Sequence, residues 1–296
     1  MKKEQIPLTK PAGDIRRPLV RYHGGKFILA DWIISHFPKH RIYCEPFGGG
    51  ASVLLKKPRS YAEIYNDLDS NIVSVFRAAR DYPSELIRWI RRTPYSRQIF
   101  NETYEKGSNP VDVAGRFIAR SFMGFGSAAI TSNKGRTGFR ANSNRSGTTP
   151  AHDWKNYVRH LSAITKRMRG VVIENVSAVD LIRSADSEST LFYIDPPYLP
   201  ETRWTVTPNA YKYEMTFEQH EQLLQLIQSL KGFVIISGYE SELYMARLSG
   251  WKHITKDSLK SGRKGGVVVQ ESLWINPAAQ AALDKERNTL FSEAIP

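Results

Sequence analysis

Apolar residues come in short runs near both ends of this chain and at helical spacing through its middle. Over residues 18–76 the pattern predicts helix, strand, loop, helix, strand, helix. Ile42-Tyr43-Cys44-Glu45 is a short apolar run that stops at Pro46-Phe47-Gly48-Gly49-Gly50, and Ala51-Ser52-Val53-Leu54-Leu55 resumes as a helix. Tyr61-Ala62-Glu63-Ile64-Tyr65 reads as a second strand, stopped by Asn66-Asp67. The next helix opens near Ser70 as its N-cap and carries Ile72, Val73, Val75 and Phe76.

Residues 78–169 read as mostly helical. Leu86, Ile87, Trp89 and Ile90 suit one amphipathic helix, and Val113, Phe117, Ile118 and Phe122 another. Between Gly124 and Asp153 the periodicity dissolves into Gly, Ser, Thr, Asn and Arg. The arginines and Phe139 scattered through it fit a binding loop better than a neutral tether. Beyond residue 170 the alternation returns. Strands are expected at 171–174, 191–194, 233–236, 251–255 and 267–275, and helices at 179–184, 217–230 and 240–248. Strands alternating with helices predict an α/β fold, a mostly parallel sheet with helices on both faces. The helical middle interrupts that series as an inserted domain would. The expected division is a discontinuous domain, 18–77 with 170–278, an insertion, 78–169, and tails at 1–17 and 279–296.

Composition narrows the partners. The 296 residues carry 42 Lys and Arg against 29 Asp and Glu, a formal charge of +13. Most of the excess lies between Val111 and Gly170, where eleven basic residues face two acids. Such a block favours a polyanion, because phosphates are attracted to it and release their counterions on binding. Cys44 is the single cysteine, which leaves no intrachain disulfide and no Cys-cluster zinc site. No ligand cluster for a metal is visible. No apolar run is long enough to span a bilayer, and the lysines at positions 2 and 3 are not followed by a signal-peptide core. A cytoplasmic protein is expected.

Chemistry enters at the strand ends. In an open α/β sheet, ligands bind beyond the C-terminal ends of the strands. Glu45 and the glycine turn 46–50 stand at such an end, and Asp67 closes the second strand, where a carboxylate can accept from ribose hydroxyls. Together they suggest a nucleoside-containing cofactor, and to this point a dinucleotide dehydrogenase fits as well. Asp195-Pro196-Pro197-Tyr198 separates the readings. Two prolines remove two backbone donors, which leaves a carboxylate, free carbonyls and an aromatic ring at a strand tip. That set suits a planar ring bearing an exocyclic amine. Asp195 and the Pro196 carbonyl can each accept one amine hydrogen while Tyr198 stacks on the ring. A proline-terminated strand with a tyrosine in its turn is the structural alternative.

Tyr22-His23-Gly24-Gly25-Lys26, Pro46-Phe47-Gly48-Gly49-Gly50 and Asp195-Pro196-Pro197-Tyr198 occur in an order that resembles the Dam-like adenine-specific DNA methyltransferases. The resemblance runs from about Tyr22 to Asn276 and is sharp at those three motifs, although Tyr22 stands where many relatives carry Trp. It implies a Rossmann-like methyltransferase fold with an inserted, mainly helical target-recognition domain. It also implies S-adenosylmethionine as cofactor, double-stranded DNA as partner, and methyl transfer to N6 of an adenine swung out of the duplex. By that resemblance Asp195, Pro196, Pro197 and Tyr198 are catalytic. Tyr22, Lys26, Pro46, Phe47, Gly48, Gly50, Asp67, Asn175, Val176 and Asp195 would contact the cofactor. Arg120, Lys134, Arg136, Arg140, Arg145 and Lys155 of the basic block would contact DNA. Tyr211 falls in a segment similar to the family's mobile loop, and residues 261–266 could hold phosphates or form a plain basic hairpin tip.

Neighbouring chemistries fit less well. Methylation of a cytosine ring carbon needs a thiolate, and Cys44 sits inside a strand upstream of the glycine loop. Amino-cytosine transfer would use a similar pocket, and RNA presents the same amine. A fold that binds nucleic acid without catalysis would not need the tetrapeptide. A monomer is expected, with a weak dimer on DNA as the alternative, in a bacterial nucleoid or a phage-infected cell.

Overall fold

A computed structural model describes residues 15–126, 130, 136–141, 148–203, 211–262 and 265–293. The chain runs α1 (Ala30–Ile34), β1 (Ile42–Glu45), α2 (Ser52–Lys56), β2 (Ala62–Asn66) and α3 (Ser70–Asp81). Four helices follow: α4 (Pro83–Arg92), α5 (Arg97–Glu102), α6 (Pro110–Met123) and α7 (Pro150–Met168). Then come β3 (Val171–Glu174), α8 (Ala178–Ala185), β4 (Thr190–Ile194), α9 (Phe217–Gln228) and β5 (Phe233–Gly238). The series closes with α10 (Glu242–Arg247), β6 (Lys252–Gly262), β7 (Gly265–Ile275) and α11 (Pro277–Glu293).

One seven-stranded sheet has the order β3-β2-β1-β4-β5-β7-β6. The pairs from β3 through β5 are parallel, and β7 runs antiparallel to both β5 and β6. Alternation along each strand assigns its residues to two layers, because successive side chains point to opposite faces. Tyr43, Leu191, Tyr193 and Ile235 join a core with α1, α2, α3, α4, α6 and α7. Cys44, Phe192, Ile194, Val234, Ile236 and Trp274 join a second core with α8, α9 and α10. Cys44 is therefore an inert core thiol, and burial raises its pKa.

Three expectations need adjustment. The N-cap of α3 is Asp69, whose side chain accepts from the Asn71 amide, and Ser70 is the first helical residue. The boundary expected after residue 77 falls inside α3, which continues to Asp81. Helices α4, α6 and α7 share one hydrophobic core with α3 and the sheet. Strand β6 is also longer than expected. It pairs with β7 along its whole length, ending in the pairs Ser261 with Gly266 and Gly262 with Gly265; Arg263 and Lys264 lie outside the described residues.

A buried ion cluster ties the helical layer to the sheet. Arg167 of α7 donates to both Glu63 oxygens at 2.6 and 2.8 Å and to the Leu54 carbonyl at 2.7 Å, while Lys57 meets Glu63 at 2.7 Å. Arg167 is fully buried, so this member of the basic block is structural.

Candidate active site

Strand order reverses between β1 and β4, the switch point at which open α/β sheets leave a crevice. A cavity of about 240 Å³ lies there. Tyr22–Lys26, the turn 45–50, residues 67–69, Asp195–Pro197 and residues 211–215 line it. Motifs far apart in the chain meet because parallel strands place all their C-terminal ends on one edge.

The glycine turn is held by its neighbours. The Gly48 amide donates to the Asn66 carbonyl at 2.7 Å, the Gly49 amide to Asp67 Oδ2 at 2.8 Å, and the Tyr65 hydroxyl to the Gly49 carbonyl at 2.8 Å. A Cβ at Gly48 would overlap the Tyr65 ring, and one at Gly49 (φ +46°) would stand 2.9 Å from Tyr22 Cε1. Ala51, which follows the turn, is also left-handed at φ 51° and caps the start of α2. Burial pushes the Asp67 carboxyl up to about 6, against the Asp69 and Gly49 amides that favour its charge. Asp67 thus orders the glycine turn and still fronts the cavity.

Asn175 and Val176 do not line the cavity. Asn175 Nδ2 donates to the Asp67 carbonyl at 2.7 Å, and Asn66 bonds the Val176 backbone in both directions, at 2.9 and 3.1 Å. They brace the strand ends from outside, and the Val176 side chain is exposed.

Asp195 follows directly from β4. Its Oδ1 accepts from Ser237 Oγ at 2.8 Å and meets Lys26 Nζ at 2.9 Å. Lys26 also lies 3.4 Å from Glu271 Oε1 and donates to the Gly24 carbonyl at 3.0 Å. Burial disfavours the ammonium, yet Asp195 and Glu271 outweigh it and hold its pKa above that of an ordinary lysine. Pro196 and Pro197 line the cavity, whereas Tyr198 does not. Its hydroxyl donates to Glu271, its ring lies 4.7 Å below Lys26 Nζ, and Tyr239 meets it edge-on at 4.8 Å.

Other lining residues had little or no signal in the sequence. Glu45, which leads from the first strand into the glycine turn, is a buried carboxyl accepting from the Tyr43 hydroxyl at 2.8 Å and the Leu54 amide at 3.1 Å. Burial raises its pKa to about 8. Tyr193 was legible in principle, since it sits two residues before Asp195 on the same face of β4. Tyr211 packs edge-on against His23 at 5.4 Å, and Lys212 bonds Asp69 at 2.8 Å, so the segment after β4 closes on the N-terminal motif. No sequence period announces that closure. Five carboxyl groups (Glu45, Asp67, Asp69, Asp195, Glu214) line the cavity with Lys26 and Lys212; burial keeps Glu45 protonated near neutral pH and Arg203 pairs with Glu214, so four carboxylates face three cations, a small negative excess suited to a cationic ligand.

The basic residues are less uniform than their sequence suggests. Arg120 is half-buried over the Tyr104 and Phe117 rings and donates to the Thr103 carbonyl at 3.3 Å. Arg136 is exposed over Tyr104, Arg140 is half-buried, and Lys155 is exposed. Lys155 lines a groove between α4 and α7 with Arg91, Tyr95, His152 and Arg159. Lys134 and Arg145 lie outside the described residues. Among the described residues, no cluster of His, Cys, Asp or Glu could hold a metal ion, and no helix is long and apolar enough to cross a membrane.

Residues 22–261 match the family described as D12 class N6 adenine-specific DNA methyltransferase. The DNA adenine methylase of Escherichia coli (strain K12) is 23% identical over 221 residues, covering 72% of this chain and 76% of that protein. The protein of the same name from Escherichia coli O157:H7 gives the same figures. Among solved structures, precorrin 8w decarboxylase of Methanobacterium thermoautotrophicum overlaps 84% of this chain and 89% of its own, at 8% identity and a TM-score of 0.34; that likeness carries no argument.

Proposed function

The chain belongs to the D12 class of N6 adenine-specific DNA methyltransferases, and from that premise we propose how its residues carry out the transfer. The methyl donor is S-adenosylmethionine, seated between Tyr22, the glycine turn and Asp67. The fit rests on two observations: side chains at positions 48 and 49 would fill the cradle, and the carboxyl excess around the cavity suits a sulfonium. When bound, S-adenosylmethionine supplies an activated methyl group.

The rest of the work falls to the protein. The target adenine leaves the duplex at a cost of roughly a few kcal/mol, and stacking can return about 1–3 kcal/mol. Tyr198 and Tyr239 form the aromatic slot: Tyr198 stays anchored through its hydroxyl, and the half-buried Tyr239 moves off their edge contact to admit the base. Asp195 is the acceptor for the amine. Lys26 and Ser237 hold its Oδ1, and no hydrogen bond among the described residues goes to Oδ2, which is free for one amine hydrogen while the Pro196 carbonyl takes the other. Both contacts draw the nitrogen lone pair out of conjugation and aim it in line with the methyl group. The amine becomes acidic only as it gains the methyl group, so Asp195 acts first as an orienting acceptor and then as the nearest proton acceptor. Residues 78–169 serve as the target-recognition insertion, with Arg136, Arg140 and Lys155 among its phosphate contacts.

The observation that carries this reading is the placement of Asp195, fixed through one oxygen, in the same cavity as the glycine turn. Asp195→Ala is expected to abolish methyl incorporation into mixed-sequence DNA while calorimetry finds S-adenosylmethionine binding largely intact. Incorporation at the wild-type rate would overturn the assignment.

A further inference from the structure

We propose that Glu271 of β7 is a positioning residue for methyl transfer, acting through the Tyr198 hydroxyl and the Lys26 ammonium. The inference rests on the reading of Asp195 and Tyr198 given above and adds the group that sets their geometry.

Glu271 is fully buried. Its Oε1 accepts from the Tyr198 hydroxyl and faces Lys26 Nζ at 3.4 Å. Lys26 reaches Asp195 Oδ1 at 2.9 Å with the same nitrogen. One ammonium thus bridges the carboxylate that receives the amine and the carboxylate that anchors the stacking ring. The Lys26 nitrogen also stands over that ring, 4.7 Å from its centre. A buried tyrosine sits in one staggered χ1 well, within which its ring still rocks unless its far end is fixed. An anchored hydroxyl removes that freedom, and a charged acceptor does so more firmly than a neutral one.

The burial of Glu271 is costly for a structural carboxylate. Its Oε2 has no hydrogen-bond partner among the described residues, and a buried carboxylate with an unmatched oxygen is worse for stability than an apolar side chain of similar volume. On the same face of β7, Leu273 and Ile275 join the core, as a purely structural residue 271 would. Burial and the neighbouring carboxylates Asp195 and Glu271 keep the Tyr198 phenol protonated, so it remains a donor. The position could not be picked out in the sequence, since Glu271 sits in a strand read for its apolar residues and comes to the site only because β7 pairs with β5.

The test measures methyl incorporation into mixed-sequence DNA and S-adenosylmethionine binding for Glu271→Ala, Glu271→Gln, Tyr198→Phe and the double variant Glu271→Ala/Tyr198→Phe. Misplacement of reacting groups by an ångström can cost about a hundredfold, so Glu271→Ala is expected to lower kcat by about ten- to a hundredfold. Donor affinity and the KM for DNA should stay within about threefold, a split that general loss of structure would not produce. Glu271→Gln keeps an acceptor for the phenol and should recover part of the loss. Within the Tyr198→Phe background the alanine change should cost less than it does alone, because both remove one contact. A kcat within twofold of wild type for Glu271→Ala would overturn the inference. So would losses that multiply fully in the double variant, or a Glu271→Gln protein no better than Glu271→Ala. Should Glu271→Ala fail to fold, kcat within twofold of wild type for both Glu271→Gln and Tyr198→Phe would overturn it equally. Asp195→Ala, measured alongside, separates the two claims: full activity there defeats the acceptor reading itself, whereas an inactive Asp195→Ala beside a fully active Glu271→Ala defeats only the role of Glu271.

Discussion

Lys26 Nζ and Asp195 Oδ1 meet at 2.9 Å, joining the segment before α1 to the tip of β4. The side chain of Lys26 is only 5% exposed, so little water offsets the loss of this pair. The contact makes the two motifs one electrostatic unit, in which neither charge can be removed without stranding another.

Lys26→Met is therefore expected to destabilise the fold as well as stop the reaction. Breaking a buried ion pair costs about 3–5 kcal/mol, and the partial exposure of Asp195 puts this case toward the lower end. Urea unfolding should report the loss, with methyl incorporation down at least about a hundredfold. Unchanged stability would mean that Asp195 and Glu271 find other partners.

Gly48→Ala should abolish donor binding before it abolishes folding. The added methyl would collide with the Tyr65 ring and come within 2.9 Å of the Asn66 carbonyl. Relief of that clash moves the turn away from Asp67, which now accepts from Gly49. Calorimetry should find affinity for S-adenosylmethionine weakened by roughly a hundredfold, a figure typical of misplaced site groups.

Glu45 predicts a pH dependence in both stability and binding. Its folded-state pKa of about 8 lies above the ordinary 4.5, so its favourable contribution is present below pH 4.5 and is lost as pH rises toward 8. Glu45→Gln should accordingly gain thermal stability over the wild type as pH climbs through that window. A cation bound beside Glu45 favours the ionised carboxylate, so donor binding near neutral pH should release a proton. Calorimetry in buffers of different ionisation enthalpy measures that release, and Glu45→Gln should lose it.

The basic block predicts a salt dependence. Replacing Arg136, Arg140 and Lys155 by glutamine should weaken DNA binding and flatten the plot of log affinity against log salt. Each lost phosphate contact accounts for a slope of about 0.9. Arg120→Gln should instead lower stability, because that guanidinium is packed among the aromatic rings of Tyr104 and Phe117. An unchanged slope in the triple variant would make the block a solvated face.

Read alone, the sequence located most of the strands and helices and the three motifs that line the cavity, but not α5 or α11. Strand runs such as Ile42–Glu45 and the helical spacing around Phe117 report local burial, and local burial follows from periodicity. Gly48 and Asp195 were legible because backbone room and a carboxylate at a strand tip are properties of single residues and their neighbours. Long-range pairing decided the rest. The sheet order brings Asp195 and Glu271 onto one cluster with Lys26 and directs the Tyr198 hydroxyl to Glu271, and the packing of α7 on the sheet buries Arg167 against Glu63. Charge and aromatic character can be read one residue at a time, but whether a charge meets solvent, a partner or a ring depends on strands and helices distant in the chain.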